Sequence, residues 1–163
     1  MKRLMRLELY TDGSCLNNFY GGWAYYLVED SKVIAYDSGM TTHTSHQRME
    51  LYSTIEGFKK VENFFDCHKD TILVISDSAY LINCANQGWY KNWIARGWVN
   101  AQNKDVANVD LWQQLTPYFN RTNISFRRVK SHEDTYYNLL CDELAREKAE
   151  MARRIGYGYK QNV

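Results

Sequence analysis

The sequence predicts a single α/β domain, and three observations carry that prediction: strand-like and helical segments alternate along the chain, the apolar content suits one core, and no linker rich in Pro, Gly or Ser interrupts them. The domain is expected to span residues 1–163, because 45% hydrophobic with 15% aromatic residues is ample for one packed interior and excludes disorder.

Residues 4–10 alternate and run into Thr11-Asp12-Gly13-Ser14. That pattern reads as a strand closing on turn chemistry, with Asp12 at its C-terminal end. Aromatic and β-branched residues at 23–28 and 32–36, on either side of Glu29-Asp30-Ser31, predict two hairpin-linked strands, so the first three strands form an antiparallel meander. A helix follows from near Ser45, with Met49, Tyr52, Ile55, Phe58 and Lys59 at helical spacing, Glu50 in its early turns and a continuation to Phe65. Residues 71–75 read as a buried strand, after which Asp77 stands as an acidic N-cap for the next helix. Trp89, Trp93, Arg96 and Trp98 mix helical spacing with the loop signals of Gly88 and Gly97, which predicts a helical protrusion over about residues 84–108. Residues 109–115 read as a helix broken at Thr116-Pro117, and residues 123–129 as a strand. After a polar loop over 130–138, the last helix is expected from about Leu139 or Cys141 to Ile155, with Leu144, Ala145, Lys148 and Met151 on one face and a frayed tail over 156–163.

The charges nearly cancel, 20 Lys and Arg against 19 Asp and Glu, so any grip on phosphates must come from local clustering rather than the overall field. Cys15, Cys67, Cys84 and Cys141 form no CxxC pair, and no secretory leader precedes them, so reduced thiols in a cytoplasmic protein are expected. No apolar stretch is long enough to span a bilayer, and no membrane partner is expected.

The chemistry sits in the acids. Asp12 and Asp77 both end strand-like segments, and carboxylates at the C-terminal ends of neighbouring strands point into the crevice where open α/β sheets place their chemistry. A helix across that edge could add Glu50, and the last helix could add Asp142. Four such groups in one cleft repel one another unless cations neutralise them, and hard oxygen donors select Mg2+ or Mn2+. Two such ions about 4 Å apart serve in-line phosphoryl displacement. Spacing alone does not choose these four among the 19 acids.

Tyr10-Thr11-Asp12-Gly13-Ser14-Cys15, Arg48-Met49-Glu50-Leu51, Ser76-Asp77-Ser78 and Cys141-Asp142-Glu143-Leu144-Ala145 resemble, in order, the four acidic motifs of type 1 ribonuclease H. Arg96-Gly97-Trp98, Asn108-Val109-Asp110-Leu111-Trp112 and Val129-Lys130-Ser131-His132 extend the resemblance from Leu4 to about Arg154. It implies a ribonuclease H-like fold with a five-stranded mixed sheet, three antiparallel strands then two parallel, flanked by helices. It also implies an endonuclease that cuts the RNA strand of an RNA–DNA hybrid with two Mg2+ ions, for which Mn2+ can substitute. In that family the counterpart of Asp12 bridges both metals, those of Glu50 and Asp77 hold the leaving-group ion, and that of Asp142 holds the ion that activates water. The Glu50 region would read the ribose 2′-hydroxyl. His132, ten residues ahead of Asp142, matches the histidine that helps proton transfer or product release.

The hybrid is expected to contact Asn17 or Asn18, Ser45, His46 and Gln47, with Trp89, Trp93 and Arg96 on a protrusion that rides over the DNA strand. Most of the tryptophans are expected to pack the protrusion onto the body. Only Lys91, Arg96 and Lys104 are basic between Asn83 and Lys104, so hybrid affinity should be weaker, and fall less steeply with salt, than in strongly basic members. The alternatives are another nuclease of the same superfamily and a noncatalytic hybrid-binding module. The chain is expected to act as a monomer.

Overall fold

The computed structural model describes residues 4–63, 70–130 and 136–161, with side chains as far as Gly156. Along the chain lie β1 (Arg6–Leu16), β2 (Tyr20–Glu29), β3 (Lys32–Thr41), α1 (His46–Val61), β4 (Thr71–Ser76), α2 (Ala79–Gln87), α3 (Trp89–Ala95), α4 (Val109–Phe119), β5 (Ile124–Arg128) and α5 (Tyr136–Gln161). The sheet order is β3-β2-β1-β4-β5. Short hairpins make β1–β2 and β2–β3 antiparallel, whereas the helical crossovers before β4 and β5 return the chain in parallel. This is the five-stranded mixed sheet that the resemblance implied.

Alternation along the strands feeds two cores. Leu7, Leu9, Tyr25, Leu27, Ile72 and Val74 pack with Leu51, Ile55 and Phe58 of α1 on one face. Tyr10, Val28, Ile75 and Cys141 pack on the other, beneath α5. Sheet residues two apart thus share a helix, and residues one apart do not.

Several boundaries differ from the sequence reading, and close-packed glycines account for those of the first two strands. Strand β1 does not turn at Asp12-Gly13; it runs on to Leu16, and the turn falls at Asn17 and Asn18, both left-handed at φ 56° and 49°. Asparagine tolerates that conformation, so the two asparagines have a structural reason to be there. Gly13 and Gly22 are strand residues, made necessary by close approach: a Cβ on Gly13 would lie 2.3 Å from the backbone carbon of Met49, and one on Gly22 would lie 2.1 Å from the carbonyl oxygen of Ala145. Helices α1 and α5 therefore touch the sheet backbone at these two points. Strands β2 and β3 are accordingly longer than the aromatic and β-branched runs suggested.

Asp77 is not the cap of α2. Ser78 is, its hydroxyl accepting from the Leu81 N–H at 3.1 Å. Pro117 lies inside α4 rather than ending it, since so near the helix end the ring costs one backbone bond and its fixed φ suits the helix. Helix α1 stops at Val61 with Glu62 as its C-cap, so the expected continuation fails at residues 62 and 63, and its last part, residues 64 and 65, lies outside the described residues. Helix α5 begins at Tyr136 and passes Gly156 to reach Gln161, instead of starting near Leu139 or Cys141 and fraying after Ile155.

Candidate active site

The pairing of β1 places Asp12. On its β4 side the ladder ends at Tyr10↔Ile75, so Asp12 stands just beyond the last rung, while on the other side it still opposes Ala24 of β2. Asp77 directly follows β4. Both acids thus lie just past the end of the parallel β1–β4 ladder, Asp12 still within β1 and Asp77 after β4. Gly13 lets the α1 backbone close onto β1, which brings Glu50 over that end. The turn carrying Glu50 is tied down by Ser53 Oγ and Thr54 Oγ1, which donate to its carbonyl at 2.8 and 3.1 Å, and Thr54 Oγ1 also lies 3.2 Å from Thr11 Oγ1.

Asp12, Glu50 and Asp77 each present a carboxylate oxygen within 4.8 Å of the others. Asp12 and Glu50 are buried at 3% and 6% exposure, and Asp77 is half-buried. Burial, and then the charges of Asp77, Asp142 and Glu50, push the Asp12 carboxyl up to about 8, although the Gly13 N–H donates to it at 2.8 Å and works the other way. Asp77 is raised by burial and by Glu50 and Asp142, with His46 opposing. One oxygen of Asp77, Oδ1, is buried with no hydrogen-bond partner among the described residues. An orphaned carboxylate oxygen inside a set of mutually repelling hard donors suits a divalent cation.

Asp142 lies on α5 at the rim. Its field reaches Asp12 and Asp77, but it stands outside the tight group, with Oδ2 paired to Arg146 at 2.9 Å. His132 lies outside the described residues.

The expected substrate contacts fall into two classes. Asn17, Asn18 and Gln47 are exposed. Ser45 caps α1, accepting from the Arg48 N–H at 3.2 Å. His46 turns inward, with Nε2 2.9 Å from Glu50 Oε1, and this contact raises its pKa. On the protrusion, Trp89, Trp93 and Trp98 are half-buried against the main core and Trp112 is fully buried, so these rings pack the protrusion to the body. Arg96 is exposed and lines a hollow of about 570 Å3 with Trp89, Trp93 and Asn100.

Sequence reasoning missed two linkages. Arg48 grips Asp110 with two bonds, 3.0 and 2.7 Å, and reaches Asn108 at 3.3 Å, joining the start of α1 to the start of α4. His46 and Glu50 are four residues apart on one helix, a spacing legible in the sequence once the helix start is known.

The model of the RNase H family matches residues 5–150. The chain is 40% identical over 142 residues to a ribonuclease H of Chlorobium phaeovibrioides, covering 86% of this chain and 93% of that protein. It is 41% identical over 146 residues to a ribonuclease H of Syntrophomonas wolfei, covering 88% of this chain and 95% of the relative. Among solved structures, LC9-RNase H1, described as a type 1 RNase H with the type 2 active-site motif, superposes with a TM-score of 0.77 at 21% identity, over 93% of this chain and 75% of that one.

Proposed function

The chain belongs to the ribonuclease H family, and from that premise we propose that it hydrolyses the RNA strand of RNA–DNA hybrids by a two-metal-ion route, leaving 5′-phosphate and 3′-hydroxyl ends. The observation that carries the reading is the convergence of Asp12, Glu50 and Asp77 within 4.8 Å, with Asp12 pushed up to about 8 by burial and by its neighbours. Such a set is costly while empty.

Asp12, Glu50, Asp77 and Asp142 would hold two Mg2+ ions, or Mn2+ in their place. When bound, the pair supplies an activated water on one side of the scissile phosphate and charge neutralisation at the leaving oxygen on the other. The protein's part is placement. Asp12 is fixed within β1 and Asp77 at the end of β4, and Glu50 by the contact of α1 with Gly13. Asp142, paired with Arg146, would join the group by turning toward it. His132 serves proton transfer or product release. Asn17 or Asn18, Ser45, His46 and Gln47 face the hybrid near the acids, and Trp89, Trp93 and Arg96 meet it on the protrusion. None of the described helices is long and apolar enough to cross a membrane. A cytoplasmic monomer acting on hybrids fits these features.

The test is divalent-metal-dependent cleavage of a uniformly labelled RNA–DNA hybrid beside single-stranded and double-stranded RNA. Selective cutting of the hybrid's RNA strand is expected. Hybrid binding without cutting at any Mg2+ or Mn2+ concentration would favour a noncatalytic clamp instead.

A further inference from the structure

Glu50 carries the longest side chain of the three clustered acids, and three torsions separate its carboxylate from the backbone. Left alone beside Asp12 and Asp77, that carboxylate lowers its energy by swinging toward water and away from like charge. It does not swing. Its Oε1 is held at 2.9 Å by Nε2 of His46, one helical turn earlier. Among the described residues this is the only ion-pairing contact from a basic side chain to any of the three acids.

His46 is itself held from behind. It is the first residue of α1, immediately after the Ser45 cap, and two residues before Arg48, whose guanidinium is clamped to Asp110 and Asn108 of the α4 start. The helix start is therefore fixed to the body, and His46 projects from a fixed point. Its side chain is 61% exposed, so packing does not explain the inward turn; the bond to Glu50 does. That bond needs only a hydrogen on Nε2, which the neutral Nε2–H tautomer and the imidazolium both supply.

We propose that His46 is a positioning residue for the cation site: by holding Oε1 of Glu50 it keeps the carboxylate turned inward and its second oxygen available, and so sets the affinity of the acid cluster for a divalent cation. This rests on the reading of Asp12, Glu50 and Asp77 as metal ligands. Hydrogen-bond partners that orient ligating groups alter metal affinity by about 10- to 100-fold when removed.

The experiment titrates Mn2+ into the full chain without nucleic acid and counts free ion by electron paramagnetic resonance, for the wild type, Asp12→Asn, His46→Ala and His46→Gln. Wild-type binding that Asp12→Asn removes supports the site itself. On that background, weakening by about tenfold or more in His46→Ala, with most of the loss recovered in His46→Gln, is the expected result. Equal or tighter binding by His46→Ala, or a loss that His46→Gln fails to recover, overturns the positioning role while leaving the site intact. Absence of wild-type binding overturns both. Far-ultraviolet circular dichroism of each variant verifies that α1 is retained, as an exposed first-turn position should allow.

Discussion

The three inner acids and the fourth one at the rim make opposite use of their surroundings. Asp12, Glu50 and Asp77 are held by backbone: Asp12 sits within β1 just past its pairing with β4, Asp77 directly follows β4, and the approach of α1 to Gly13 fixes Glu50. Asp142 is held by a side chain, at the half-exposed rim, where Arg146 one turn on already answers its charge. The inner group stores electrostatic repulsion that the fold cannot relax. The rim acid also repels Asp12 and Asp77, but it is half-exposed and has a cationic partner in Arg146. The site thus has three converging acids at its floor and a fourth, separately paired acid at its rim.

The sharpest way to break that comparison is to neutralise one acid of each kind. Asp12→Asn should abolish hybrid cleavage while leaving hybrid binding. In the metal-free protein at pH 8 it should also raise stability by a few kcal/mol, since the buried charge is gone. Asp142→Asn should leave metal-free stability within about 0.5 kcal/mol. Equal shifts in thermal melting for the two variants would contradict the distinction.

The next largest effect is mechanical. Gly13→Ala places a Cβ 2.4 Å from the Glu50 backbone nitrogen, so α1 must retreat. We expect a loss of about 1–3 kcal/mol in denaturant unfolding, together with weaker divalent-cation binding. Unchanged Mn2+ affinity in a folded Gly13→Ala protein would show that the backbone contact does not set the Glu50 position.

The pH dependence follows from the raised carboxyl. Between the ordinary aspartate range and about 8, folded Asp12 keeps a proton that the unfolded chain has released, so the unfolding free energy of the metal-free protein falls as pH rises through that window. Melting temperatures from pH 5 to pH 8 should decline in the wild type and flatten in Asp12→Asn, and saturating Mg2+ should offset the decline. A wild-type curve that rises with pH would remove the buried charge from the account.

The smallest effect belongs to the rim. Arg146→Ala breaks an exposed pair and should change stability by less than about 1 kcal/mol. It should also shift the Mg2+ dependence of cleavage toward lower concentration, because Asp142 no longer has to leave a partner. A shift toward higher concentration would mean that Arg146 aids the loaded site.

By itself the sequence determined the order and kind of the elements and the identity of the family, and it singled out three acids that the fold brings together, because these follow from local periodicity and from short motifs. It also carried the packing role of the protrusion's tryptophans, since large rings near helical spacing have few alternatives to burial. Only the tertiary structure decided where β1 ends, because Gly13 looks like a turn residue until the α1 backbone is seen against it. Only the fold could show that Ser78 rather than Asp77 caps α2, leaving the aspartate to the cluster, and that Arg48 joins Asp110 across 62 residues of chain. Likewise, the separation of Asp142 from the other three acids depends on how a helix lies across a sheet. Contacts between distant segments are set by packing and exclusion, and a one-dimensional pattern holds no record of which surfaces meet.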